Sequence, residues 1–136
     1  MSVRYISRDD LSEIIKSDKR PGEDYLVVDV RDSDFVGGNI PNCRRSPSLT
    51  FSGDLDDLIR DTKDVPRVIF HCALSQARGP TAAQQYVDRR AQPQHQQDNN
   101  TKQEVLVLQG GFVGFQRKFK DDPELVEKWS KDIWGA

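Results

Sequence analysis

Three short apolar runs constrain this chain more than anything else in it. They are Tyr25–Val30 (YLVVDV), Arg67–His71 (RVIFH) and Glu104–Gln109 (EVLVLQ), each rich in β-branched residues. A strand with one wet face alternates apolar and polar residues. A nearly continuous apolar run needs cover on both faces, as in a parallel sheet. Segments with helical spacing separate the runs, which implies right-handed crossovers and helices on both sides of the sheet. The fold class read here is therefore α/β, a central parallel sheet with helices on both faces. The 136 residues suit one domain, 1–136.

The connections can be read in the same way. Ser7 caps a first helix, with an acid three residues on and Leu11, Ile14 and Ile15 on one face. Arg20-Pro21-Gly22 ends it. Residues 31–50 read as a long loop. Phe51, Leu55, Leu58 and Ile59 mark a second helix, and Gly79-Pro80-Thr81 opens a third, with Ala82, Ala83, Tyr86 and Val87 facing inward. Residues 92–103 (QPQHQQDNNTKQ) read as a mobile polar surface loop. Gly110-Gly111 turns the chain into a helix over 112–119. Asp122-Pro123 opens a last helix, in which Leu125, Trp129 and Ile133 recur every four residues.

Charge narrows the list of partners. Twenty basic and 22 acidic residues give a net charge of -2, which predicts neither nucleic acid nor an anionic membrane. The longest apolar runs are far shorter than the ~20 residues of a membrane span. The first residues lack a signal peptide's apolar centre, so the expected location is cytoplasmic or nuclear. There Cys43 and Cys72 are free thiols. With His71 and His95 they complete no metal-ligand set.

In an open parallel sheet ligands sit beyond the carboxyl ends of the strands, and one such end carries His71-Cys72-Ala73-Leu74-Ser75-Gln76-Ala77-Arg78-Gly79-Pro80. A seven-residue loop between a strand and a helix can turn its amides inward as an anion-binding nest, reinforced by the helix N-terminus. The backbone of Ala73, Leu74, Ser75, Gln76 and Ala77 would form that cradle. Arg78 supplies a planar fork for two oxygens of a tetrahedral anion. The same amides favour a thiolate at Cys72, ready to act as nucleophile. Cys72 also admits a reading as an inert core cysteine; the strand before it and the Gly-Pro helix start after it favour the nucleophile. Ser75 could bond thiolate or substrate, or simply form the turn. His71 fits a role in ordering the loop backbone.

Four stretches together are similar to the rhodanese-like superfamily: VVDVR at 27–31, Gly38-Asn39-Ile40-Pro41, HCALSQARGP at 71–80, and LQGGF at 108–112. The active loop resembles the phosphatase branch. That branch comprises the M-phase inducer phosphatases and their small fungal and plant relatives, some of them arsenate reductases. Sulfurtransferases of this superfamily carry a loop one residue shorter, so the longer loop implies a phosphorus- or arsenic-centred oxyanion. The resemblance makes Cys72 the nucleophile and Arg78 the oxyanion clamp, with Asp29 and Arg31 supporting the loop. Ala73 and Ala77 stand where M-phase inducers carry acids, and Val30 where they carry a second cysteine. Asn39 replaces a histidine. The general acid is left open among Asp29, Asp32 and Asp34.

The activity this implies is hydrolysis of phosphomonoesters on phosphotyrosine or dual-specificity protein substrates, through a phosphocysteine. The alternative is arsenate reduction with glutathione or glutaredoxin as reductant. Sulfur transfer and a non-catalytic phosphoprotein-binding module rank below both. No cofactor is expected beyond that reductant. The partner is a phosphorylated protein or a small oxyanion, and the oligomeric state is open. Cys43 reads as a resolving thiol or, preferably, as a small buried apolar residue. Arg44 and Arg45 read as a solvated loop rather than as a rim selecting acidic peptides.

Overall fold

The computed structural model describes residues 2–95 and 102–135. Among these residues are five strands: β1 (Val3–Ile6), β2 (Leu26–Asp29), β3 (Arg44–Arg45), β4 (Arg67–His71) and β5 (Glu104–Leu108). All pairings are parallel, and the spatial order is β1-β5-β4-β2-β3. The three apolar runs form the middle of the sheet, where both faces are covered. The strand carrying the Cys72 loop is the central one, so that loop emerges between the ends of β2 and β5.

Helices α1 (Arg8–Lys16), α2 (Phe51–Asp61), α3 (Arg78–Arg90) and α4 (Gly111–Phe119) cover the sheet. Ser7 caps α1 as expected, its hydroxyl accepting from the Asp10 amide at 3.1 Å. On one face Phe51, Leu55, Leu58 and Ile59 of α2 and Ala82, Ala83, Tyr86 and Val87 of α3 pack against Val28, Phe70 and Val107. On the other, Leu11 of α1 and Phe112 and Phe115 of α4 pack against Val27, Ile69 and Leu106. Adjacent strand residues thus serve opposite cores, which is why the runs are apolar without alternation.

Three expectations need correction. Strand β1 has no counterpart among the apolar runs because it is an edge strand: Arg4 and Tyr5 are exposed. Within the expected 31–50 loop, Arg44 and Arg45 are not loose. They pair with Val28 and Asp29 as β3, Arg44 bridges Asp61 at 2.8 Å, and Arg45 stacks on Phe35. No helix opens at Asp122-Pro123. The chain makes a turn that buries Leu125 and Val126, then bridges Glu127 to Asn39; a short helix, α5 (Lys131–Trp134), follows. The four-residue spacing came from separate packing contacts. The described ends of the 92–103 segment are both anchored. His95 closes a turn on Gln92, and buried Gln103 donates to the carbonyls of Thr62 and Val65 while accepting from Tyr86. Residues 96–101 lie outside the described residues. Among the described residues no helix is long and apolar enough to cross a membrane.

Candidate active site

The loop is shaped from behind. Gly110 and Gly111 follow β5, and the first turn of α4 donates to the loop: Phe112 N–H to the Cys72 carbonyl at 3.0 Å, and Val113 N–H to the Ala73 carbonyl at 2.9 Å. With its first carbonyls held there, the loop can turn amides the other way. This close approach requires glycine. A Cβ on Gly111 would lie 2.3 Å from the Ala73 oxygen, and its φ of +60° is left-handed. The glycines of the LQGGF stretch therefore do more than turn the chain: they admit the loop backbone.

The inward amides find the sulfur. Ser75 N–H donates to Cys72 Sγ at 3.2 Å and Gly79 N–H at 3.3 Å. Ser75 reaches this position in a left-handed conformation, φ +55°, unusual for a residue with a side chain. Its Oγ makes a long 3.5 Å contact with the Cys72 amide, so Ser75 serves the loop and the sulfur together. Cys72 is only 3% exposed and packs beside Val30 and Phe70. It is a core cysteine by burial and an amide-held sulfur by geometry. Leu74, Gln76 and Ala77 form the exposed rim.

Beneath the loop lies a fully buried ion pair. Asp29 Oδ2 accepts from Arg31 Nη2 at 2.7 Å, and Asp29 Oδ1 accepts from Arg31 Nε and N–H. Arg31 also donates to the carbonyls of Asp34 and Gly38, and its guanidinium lies 4.3 Å from the Phe112 ring centre. It thereby pins residues 32–38 beside the loop. Burial pushes the Asp29 carboxyl up, but the hydrogen bonds and charge of Arg31 hold it below the usual range. Being sealed and ionised, Asp29 is no proton donor. His71 Nδ1 lies 3.1 Å from the Cys72 carbonyl. Burial pushes its pKa down, so the ring stays neutral.

Arg78 begins α3, within electrostatic reach of Cys72. Its fork is engaged by carboxylates: Nη1 to Asp34 Oδ1 at 3.0 Å, Nη2 to Asp34 Oδ2 at 2.6 Å, and Nη1 to Asp32 Oδ2 at 3.3 Å. Arg78 holds the Asp34 carboxyl below its ordinary pKa. For Asp32, the Ser48 hydroxyl leads, with the Leu49 amide and Arg78 adding to it. The structure thus brings Cys72, Ser75, Arg78, Asp32 and Asp34 together.

Cys43 stands apart. It packs with the core on the opposite face of the sheet from Cys72, and burial pushes its thiol up to about 12. Asn39 donates to Glu127 at 2.8 Å, so it joins the bridge between residues 39 and 127 rather than the loop. Among the described residues no group of three or more His, Cys, Asp or Glu side chains is placed to hold a metal.

The rhodanese-like domain model matches residues 7–118. The chain belongs to the rhodanese-like family. It is 33% identical over 116 residues to arsenate reductase 2.1 of Oryza sativa subsp. japonica, covering 85% of this chain and 68% of that protein. It is 30% identical over 137 residues to the dual specificity phosphatase ibp1 of Schizosaccharomyces pombe, covering 93% and 97%. A solved yeast protein tyrosine phosphatase of the rhodanese family superposes with a TM-score of 0.79 at 28% identity, covering 98% of each chain. Its relatives are thus enzymes of both kinds the sequence suggested.

Proposed function

We propose that this rhodanese-family chain is a cysteine-dependent phosphatase. The observation that carries the reading is the pair of amide donors on Cys72 Sγ at the base of a seven-residue loop that ends in Arg78. The thiolate attacks phosphorus, the P–O bond to the alcohol or phenol breaks, and the leaving oxygen takes a proton from solvent. Loop amides and Arg78 hold the non-bridging oxygens as charge spreads over them. Water then attacks the phosphocysteine, the P–S bond breaks, and phosphate leaves. Phosphorylated protein is the substrate class. With Asp29 buried and Ala73 and Ala77 unable to donate, good leaving groups such as phenols turn over fastest. Cys72→Ser, assayed on an aryl phosphate, is expected to lose essentially all turnover. Wild-type rates in that variant would remove the reading.

Arsenate reduction is the second reading, favoured by the likeness to a rice arsenate reductase. Cys72 would displace an arsenate oxygen as water. Two electrons from thiols would then reduce arsenic, leaving a disulfide. Cys43 lies across the sheet, so the second thiol comes from glutathione or glutaredoxin. Arsenite formation that depends on added glutathione distinguishes this reading from hydrolysis.

A further inference from the structure

Arg78 presents to Asp34 the same two-pronged edge that suits two oxygens of a tetrahedral anion. The two bonds, 3.0 and 2.6 Å, are the bidentate arrangement an oxyanion would make. Asp34 is placed for this by the buried frame. Its carbonyl accepts from Arg31, and its Oδ1 also accepts from the Asp32 amide at 2.9 Å. Asp32 is fixed by the Ser48 hydroxyl at 2.6 Å and the Leu49 amide at 3.1 Å, leaving its Oδ2 against Arg78. The backbone is held while the ion pair stays wet: the Arg78 side chain is 33% exposed and that of Asp34 41%. A pair that solvent reaches can be exchanged for another anion.

We propose that Asp34, backed by Asp32, is an internal competitor for the Arg78 fork, which an incoming oxyanion displaces, and that Asp34 thereby sets the affinity of the site. This rests on the reading of Arg78 as the oxyanion clamp. In the resting state the fork is neutralised, and the fraction of molecules open to ligand lowers the apparent affinity in proportion. Weak free anions are held off. A phosphate carried on a protein, with further contacts, displaces the carboxylate more readily.

Two roles for Asp34 predict opposite signs. A carboxylate that merely orients Arg78 weakens anion binding when removed. A competitor strengthens it. The probe is inorganic phosphate, and the readout is protection of Cys72 in the full chain from iodoacetamide, a neutral reagent, followed by peptide mass. An exposed ion pair is weak, so Asp34→Asn is expected to bind phosphate about two- to fivefold more tightly. Asp34→Ala should do the same. Asp54→Asn removes an equal charge at a carboxylate bonded to Ser46 and Thr50, and should leave the affinity unchanged. On an aryl phosphate, Asp34→Asn should lower KM.

Unchanged or weaker phosphate binding in Asp34→Asn overturns the inference, as does equal tightening in Asp54→Asn. A large fall in kcat also overturns it, since that would make Asp34 a proton donor. Loss of this inference alone leaves Cys72-dependent turnover by the wild type untouched. If phosphate protects none of the proteins, the clamp fails together with its competitor.

Discussion

Two arginine–aspartate pairs stand side by side in this molecule, and they differ in almost everything but chemistry. Arg31 and Asp29 are fully buried and bonded at 2.7 Å. Arg78 and Asp34 are bonded at 2.6 Å with a third or more of each side chain exposed. The first pair is an internal strut, since either charge left alone would be stranded without water. The second is a contact that solvent can already exchange. One segment, residues 32–38, joins them: its backbone hangs on Arg31 and its carboxylates reach Arg78. Burial, rather than bond length, separates the scaffold from the working part.

The sharpest way to break this contrast is to remove Asp29. Asp29→Ala strands a buried guanidinium and should cost about 3–5 kcal/mol, read as a urea midpoint. A loss under about 1 kcal/mol would make both pairs equally dispensable. The same pair governs acid stability. The Asp29 pKa in the fold lies below its unfolded value near 4. Its contribution is therefore complete above about pH 4 and is lost as pH falls through the folded pKa. Neutral, buried His71 adds a loss that begins as pH falls below about 6.5. Stability that rose on acidification from neutrality would contradict both assignments.

A smaller effect is expected at the support of the loop. Gly111→Ala forces a Cβ onto the Ala73 carbonyl and strains a left-handed φ. It should cost about 1–3 kcal/mol and lower aryl phosphate turnover. Full activity would mean the loop carbonyls need no such backing. Arg78→Ala should change stability by less than about 1 kcal/mol yet abolish protection of Cys72 by phosphate. The smallest effect falls on Cys43. With its thiol near 12, only about one molecule in ten thousand is thiolate at pH 8, so iodoacetamide should leave it unmodified in the native protein. Cys43→Ala should keep full activity.

The contrast also explains what could be read from the chain alone. The three central strands were legible because burial on both faces writes a continuous apolar run. The edge strands were not: Val3–Ile6 shows exposed Arg4 and Tyr5, and Arg44–Arg45 is two charged residues. The Cys72–Arg78 loop was legible because its parts are contiguous. The Arg78–Asp34 pair spans 44 residues and exists only because β2 and β4 are neighbours in the sheet. Asp29, Asp32 and Asp34 look alike in sequence. Only burial and partners separate a strut, an anchor and an exchangeable carboxylate.

The nucleophile itself can be observed most directly by rapid acid quench during aryl phosphate turnover, followed by mass analysis of the peptide holding Cys72. The account predicts a gain of one phosphoryl group on Cys72, absent in Cys72→Ser. Steady turnover with phosphate never found on that sulfur would contradict it.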